Sequence, residues 1–218
     1  LKLVSQYHLA PDGDTDQRIS VDTLTKYNEG IIAFTGASKG GVGRLLAEGQ
    51  SDAAEVLLIR LKKIFVDRLY VELQRHNQPI ENKIEGPLID LAYKYGLPLI
   101  ATNECFFDTE DMYEAHDALI CISAGAYVDQ ADRRHLTVDH RFKSPQEMRA
   151  LFADLPEAID NTLIVAERCS VMSEPRDPLL PAAPKEVDNG DLTDSEVLVV
   201  LAGKGLSARL EDQVYQDS

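Results

Sequence analysis

Basic residues are scarce in this sequence: 22 Lys and Arg stand against 37 Asp and Glu in 218 residues, a formal charge of −15. Domains that grip DNA carry a cationic face, because Lys and Arg displace the counterions condensed on phosphate. This segment is therefore not expected to hold DNA, and its acidic excess, spread rather than blocked, reads as a solvated surface. Cysteine is scarce too. Cys105, Cys121 and Cys169 are scattered, odd in number and show no Cys-x-x-Cys spacing. That argues against a disulfide framework and for a reducing, cytoplasmic setting, with the three thiols expected to pack as small buried hydrophobes. No run of about 18 apolar residues occurs, so no membrane helix is expected. The start, Leu1-Lys2-Leu3-Val4-Ser5, lacks the charged head, apolar block and cleavage site of a signal peptide. Beginning at Leu, it fits an excised piece of a longer chain.

What is present is ordinary globular material, 44% hydrophobic, enough for a proper core. Ser20 is placed to cap a helix reaching about Asn28, which Gly30 ends. Three apolar runs read as buried strands: Ile31–Thr35, Leu69–Leu73 and Leu97–Thr102. Amphipathic helices are expected at Ser51–Phe65, Ile84–Tyr95 and Glu110–Ile122. Strands alternating with helices imply right-handed βαβ units and a parallel α/β sheet or barrel, with too few units to close an eight-stranded barrel.

From Ser144 the pattern turns helical. Ser144, Pro145 and Glu147 form a capping box with Pro at the first position, and Pro156 opens a helix to about Arg168. Glu174–Pro184 is proline-rich and expected to be an extended linker, followed by a last helix over Thr193–Leu210. The domain boundary is placed in that linker, giving residues 1–180 and 181–218.

Two stretches carry possible chemistry. Gly36-Ala37-Ser38-Lys39-Gly40-Gly41-Val42-Gly43-Arg44 has the glycines of a phosphate loop. Gly43 is followed by Arg44 and Leu45, however, so the hydroxyl that would hold magnesium is missing and a flexible turn is expected. The second stretch is a set of strand ends: His76 after the second strand, Glu104 and Cys105 after the third. In a parallel α/β barrel such ends form the active face, and all three side chains are metal ligands by type. The alternative packs Cys105, uses Glu104 to cap the next turn and leaves His76 on a solvated rim. His135 and His140 are expected to be solvated in a polar loop, and His116 to sit on a helix.

These residues resemble a known family. Gly30–Gly36, Leu69–His76, Leu97–Glu104, Glu114–Asp117, Lys143–Met148 and Leu155–Thr162 come in the order and spacing of the PHP domain of bacterial replicative polymerase III alpha subunits. The likeness runs from the start to about Pro184, with Lys204-Gly205-Leu206 similar to the lead-in to the palm. It implies a (βα)7-type barrel whose first strands, with a His-x-His metal motif, would precede Leu1. In metal-binding members, ligands come from a Cys in a Ser-Gly-Cys turn and from the Asp and His of a Thr-Asn-Asp-x-His strand end. Those positions fall here on Ala37, Glu104 and Phe106. A methyl group and a phenyl ring cannot ligate a metal, so the resemblance implies a structural PHP domain with no metal of its own.

The family further implies a DNA-directed DNA polymerase as the parent. Its two magnesium ions would be held by palm aspartates beyond Ser218, and its DNA and dNTPs bound by other domains. Its partners would be the other polymerase III subunits, notably the proofreading exonuclease that the PHP scaffold docks. The alternative is an active metal-dependent PHP phosphoesterase, its ligands rebuilt from His76, Glu104 and Cys105. A P-loop NTPase is disfavoured by Arg44 and Leu45.

Overall fold

The computed structural model describes residues 1–8, 19–169, 172, 174–175, 177–178 and 192–211. It groups into two compact units, Leu1–Ser170 and Val171–Ser218. The first opens with α1 (Lys2–His8) and α2 (Val21–Tyr27). The Ser20 hydroxyl accepts from the Thr23 N–H at 3.1 Å, so the expected cap is made. β1 (Ala33–Phe34) leads through a 3-10 turn at Ala37–Lys39 into α3 (Gly41–Ala47) and α4 (Ser51–Phe65). β2 (Leu69–Leu73), α5 (Pro79–Tyr95) and β3 (Leu99–Ala101) follow. The unit continues with α6 (Tyr113–Ala124), α7 (Pro145–Leu151) and α8 (Pro156–Arg168).

The three strands are parallel and adjacent in the order β1-β2-β3, an unclosed sheet with β2 at its centre. Every residue of β2 is buried, as expected of a parallel strand covered on both faces. Val42 and Leu58 pack with Val71, Leu73, Leu88 and Phe152 in one apolar cluster, none of whose fully buried members lies between Ala101 and Phe152. The edge of β3 is covered by α8, where the Asn161 amide donates to the Leu99 carbonyl at 2.7 Å.

Several expected boundaries move. β1 is shorter than Ile31–Thr35 because the Arg68 guanidinium takes the Asn28 and Ile31 carbonyls, turning the chain before it joins the sheet. α5 starts five residues earlier than Ile84: Gln78 and Glu81 form a capping box, with Pro79 in the first turn. A 3-10 turn at Glu110–Met112 replaces the first part of the helix expected from Glu110. The Ser144 capping box and the Pro156 start occur as read.

The second unit contains α9 (Asp194–Glu211), which matches the last expected helix closely. Most of the proline-rich stretch expected as a linker, and the boundary at residues 180/181, lie outside the described residues. Of the three cysteines only Cys121 is buried; Cys105 and Cys169 are exposed, which corrects the expectation for those two. No helix among the described residues is long and apolar enough to cross a membrane.

Candidate functional site at the strand ends

The glycine-rich stretch after β1 is a packed corner rather than a flexible turn. A Cβ on Gly40 would stand 1.7 Å from the Thr35 carbonyl oxygen, and one on Gly43 would stand 1.9 Å from that of Ala37. These glycines let backbone pass against backbone, which explains their presence without any phosphate. Ala37 itself is buried at this corner.

Beside the corner, Glu72 ties the three strand ends together. Its carboxylate accepts from the Gly36 N–H at 3.0 Å and from the Thr102 hydroxyl at 2.6 Å. Thr102 accepts in turn from the Gln74 amide at 3.0 Å. A carboxylate inside a central strand is tolerated because its oxygens are satisfied.

His76 is only 1% exposed, which corrects its expected place on a solvated rim. Its backbone N–H donates to Glu81 at 2.6 Å, its Nδ1 lies 2.7 Å from the same carboxylate, and its Nε2 accepts from the Glu104 N–H at 3.1 Å. Burial alone would push the Glu81 carboxyl up, but the hydrogen bonds from His76 and Gln78 hold it below its ordinary value.

His140, expected in solvent, is also buried: its ring stacks on His76 with centroids 4.1 Å apart and planes 16° from parallel. Burial first, then the neighbouring His76, lowers its pKa to about 4. It is therefore a neutral imidazole at pH 7. His135 is exposed as expected, and His116 lies half-buried against the rings of Phe106 and Phe107.

His140 belongs to an excursion that leaves the sheet after β3 and returns at Arg141. Its base is closed by the Phe106 N–H donating to His140 O at 2.9 Å and the Phe142 N–H donating to Phe107 O at 2.8 Å. The Asn103 side-chain amide donates to Arg141 O at 2.8 Å, and the Thr137 hydroxyl donates to His76 O at 2.5 Å. Lys143 is buried 3.2 Å from Asn103 Oδ1, and burial pushes its pKa down.

Glu104 does not cap the following turn; its carboxylate pairs with the Lys39 ammonium. The Lys39 ammonium and the Arg134 guanidinium also lie over the Phe106 ring, at 5.8 and 5.2 Å from its centroid. Phe106 is 37% exposed, so it does not plug the rim as a buried ring would. Cys105 faces solvent, its thiol 3.5 Å from the Phe107 carbonyl, and is not packed as expected. A cavity of about 180 Å³ opens here, bordered by Lys39, Gln74, Gln78, Glu104, Arg134 and His140.

These residues do not fit a hydrolytic metal cluster. Of the three positions that the resemblance aligns with metal ligands, Ala37 and Phe106 carry a methyl group and a phenyl ring, and Glu104 is paired with an ammonium group. Among the described residues no three His, Cys, Asp or Glu side chains form a group that could hold a metal ion. Sequence reading found the strand ends but missed the stacking of His76 on His140. The two are 64 positions apart, and only the Thr137–His140 side-chain turn hints that the second is ordered.

The PHP domain profile matches residues 1–76. The DNA polymerase III subunit alpha of Caulobacter vibrioides is 46% identical over 189 residues, covering 86% of this chain. That of Rickettsia prowazekii is 38% identical over 210 residues, 96% of the chain, and that of Escherichia coli 34% over 209 residues, 95%. The chain is homologous to one segment of the DNA polymerase III alpha subunits. It spans 16% of the Caulobacter alpha subunit, 17% of the Rickettsia one and 18% of the Escherichia coli one.

Proposed function

We propose that this chain is the later part of the PHP domain of a replicative DNA polymerase III alpha subunit and serves there as a structural scaffold without a metal of its own. The reading rests most on one observation: Lys39 pairs with the carboxylate of Glu104 and lies over the ring of Phe106. An ammonium group paired at a ligand position competes with any divalent cation for that carboxylate. In this proposal, strands elsewhere in the protein complete a (βα)7-type barrel, and α9 belongs to the lead-in to the palm. The whole protein is a DNA-directed DNA polymerase whose magnesium ions, DNA and dNTPs are held by other domains. The scaffold docks the proofreading exonuclease among the other polymerase III subunits, in the cytoplasm. Acidity supports that division of labour, since a chain of net charge −15 is a poor phosphate grip.

Elemental analysis of the full-length protein, beside a phosphatase assay with and without added manganese or zinc, is the test. Polymerase activity with no stoichiometric transition metal and no phosphatase activity is expected. Stoichiometric metal with metal-dependent ester hydrolysis would replace the scaffold with an active phosphoesterase.

A further inference from the structure

One helix turns its apolar side away from the core. On α6, Ala115, Leu119 and Ile122 fall at i, i+4 and i+7 and share a face. Leu119 is 59% exposed and Ile122 77%. The chain leaves α6 at Gly125 and at once presents Tyr127 and Val128, which are 78% and 60% exposed. The helix meanwhile spends its inward side on Cys121 and on Asp117, whose carboxylate grips Arg133 through two bonds of 2.6 Å. Both the outward stripe and the inward anchoring are therefore fixed by the same helix.

Exposed charge flanking the stripe along the chain is predominantly acidic, with Arg134 the exposed exception. Asp111 and Glu114 at one end, and Asp129 and Asp132 at the other, are exposed. No lysine occurs between Lys94 and Lys143. The nearest cations are engaged elsewhere, Arg133 with Asp117 and Arg134 over the Phe106 ring. An apolar strip framed by carboxylates repels nucleic acid and complements a cationic protein segment.

We propose that the outward face of α6, continued by Tyr127 and Val128, docks an amphipathic segment of a partner protein that sets apolar side chains on Leu119 and Ile122 and Lys or Arg side chains on the acidic frame. The inference rests on the scaffold reading above and gives it a surface; the proofreading exonuclease is the partner to try first. Carboxylates set the approach and register, and the apolar strip carries the contact.

The test compares full-length alpha subunit with its Leu119→Glu/Ile122→Glu variant and with a charge variant, Asp129→Lys/Asp132→Lys. Binding of purified exonuclease subunit is measured by calorimetry at about 0.05 and 0.3 M salt, where screening separates the two contributions. Expected are a loss of at least tenfold for the apolar variant, several-fold for the charge variant, and unchanged polymerase activity in both. Wild-type affinity in both variants overturns the surface while leaving the scaffold reading intact. No binding by the wild type overturns the scaffold reading itself. Light scattering closes the remaining routes. Self-association of the wild type that Leu119→Glu abolishes makes the occupant a second copy, and an unreactive Leu119→Cys thiol in the free full-length protein makes it another part of the same chain; either result overturns the proposal.

Discussion

The sheet and the excursion after it are held together by different physics. Around β2, buried leucines and valines from α3, α4, α5 and the α7–α8 region share one cluster. The excursion, from Asn103 to Lys143, adds no fully buried member to that cluster. Its own buried apolar side chains, Phe107, Cys121 and Leu136, are few. What fastens it is polar: the His76–His140 stack, the Thr137 hydroxyl, Asn103, the buried Lys143 and the Asp117–Arg133 pair. Apolar burial is tolerant of geometry and insensitive to pH, whereas a buried polar network holds only while every group is in its expected protonation state. The sheet should therefore be robust and the excursion conditional.

The largest effect expected is in the sheet. Leu73 is 1% exposed at the centre of the cluster. Leu73→Ala should cost about 3 kcal/mol of global stability in urea unfolding, as a large-to-small change in a packed core does. A cost under about 1 kcal/mol would mean that β2 is not the centre of the fold.

Acid should separate the two regions. His140 titrates near 4 in the fold against an ordinary 6.5. Its stabilising contribution is complete above pH 6.5 and is lost as pH falls towards 4, because the unfolded chain takes up the proton first. Allowing for screening, the loss is on the order of 1–2 kcal/mol. His140→Gln should flatten that part of the pH–stability curve, as read by thermal unfolding between pH 4 and 7. An equally steep curve in the variant would assign the acid sensitivity elsewhere.

A smaller and more local change is expected inside the excursion. Asp117→Asn removes the charge that Arg133 is bound to on both of its terminal nitrogens. Hydrogen exchange of the α6 amides should accelerate on the order of tenfold while β2 amides stay protected, since local opening and global unfolding are distinct. Equal acceleration in both regions would make them one cooperative unit.

The smallest effect is expected at the rim. Phe106→His should change stability by less than about 0.5 kcal/mol, as for exposed positions generally, because the ring is already 37% exposed. It should also leave the protein without bound zinc or manganese in equilibrium dialysis, since Ala37 still offers no ligand and Lys39 still holds Glu104.

Much of the fold is legible along the chain. The all-buried run Leu69–Leu73, the amphipathic Ser51–Phe65 and the Ser144 capping box give their elements through local periodicity and capping chemistry. α5 was harder: its extra five residues come from Gln78 and Glu81 capping the helix, a box that lacks the usual Ser or Thr. The site divides in the same way. Ala37 and Phe106 announce in their own chemistry that they cannot bind metal. The sequence alone also determined the acidic balance, the parallel strand order and the absence of a Walker hydroxyl. Only the tertiary structure decided that the glycine corner is packed solid, that Cys105 faces water, and that His76 and His140 are buried face to face. Those outcomes depend on which distant segments meet, and a residue's type fixes what it can do but not which neighbours desolvate it.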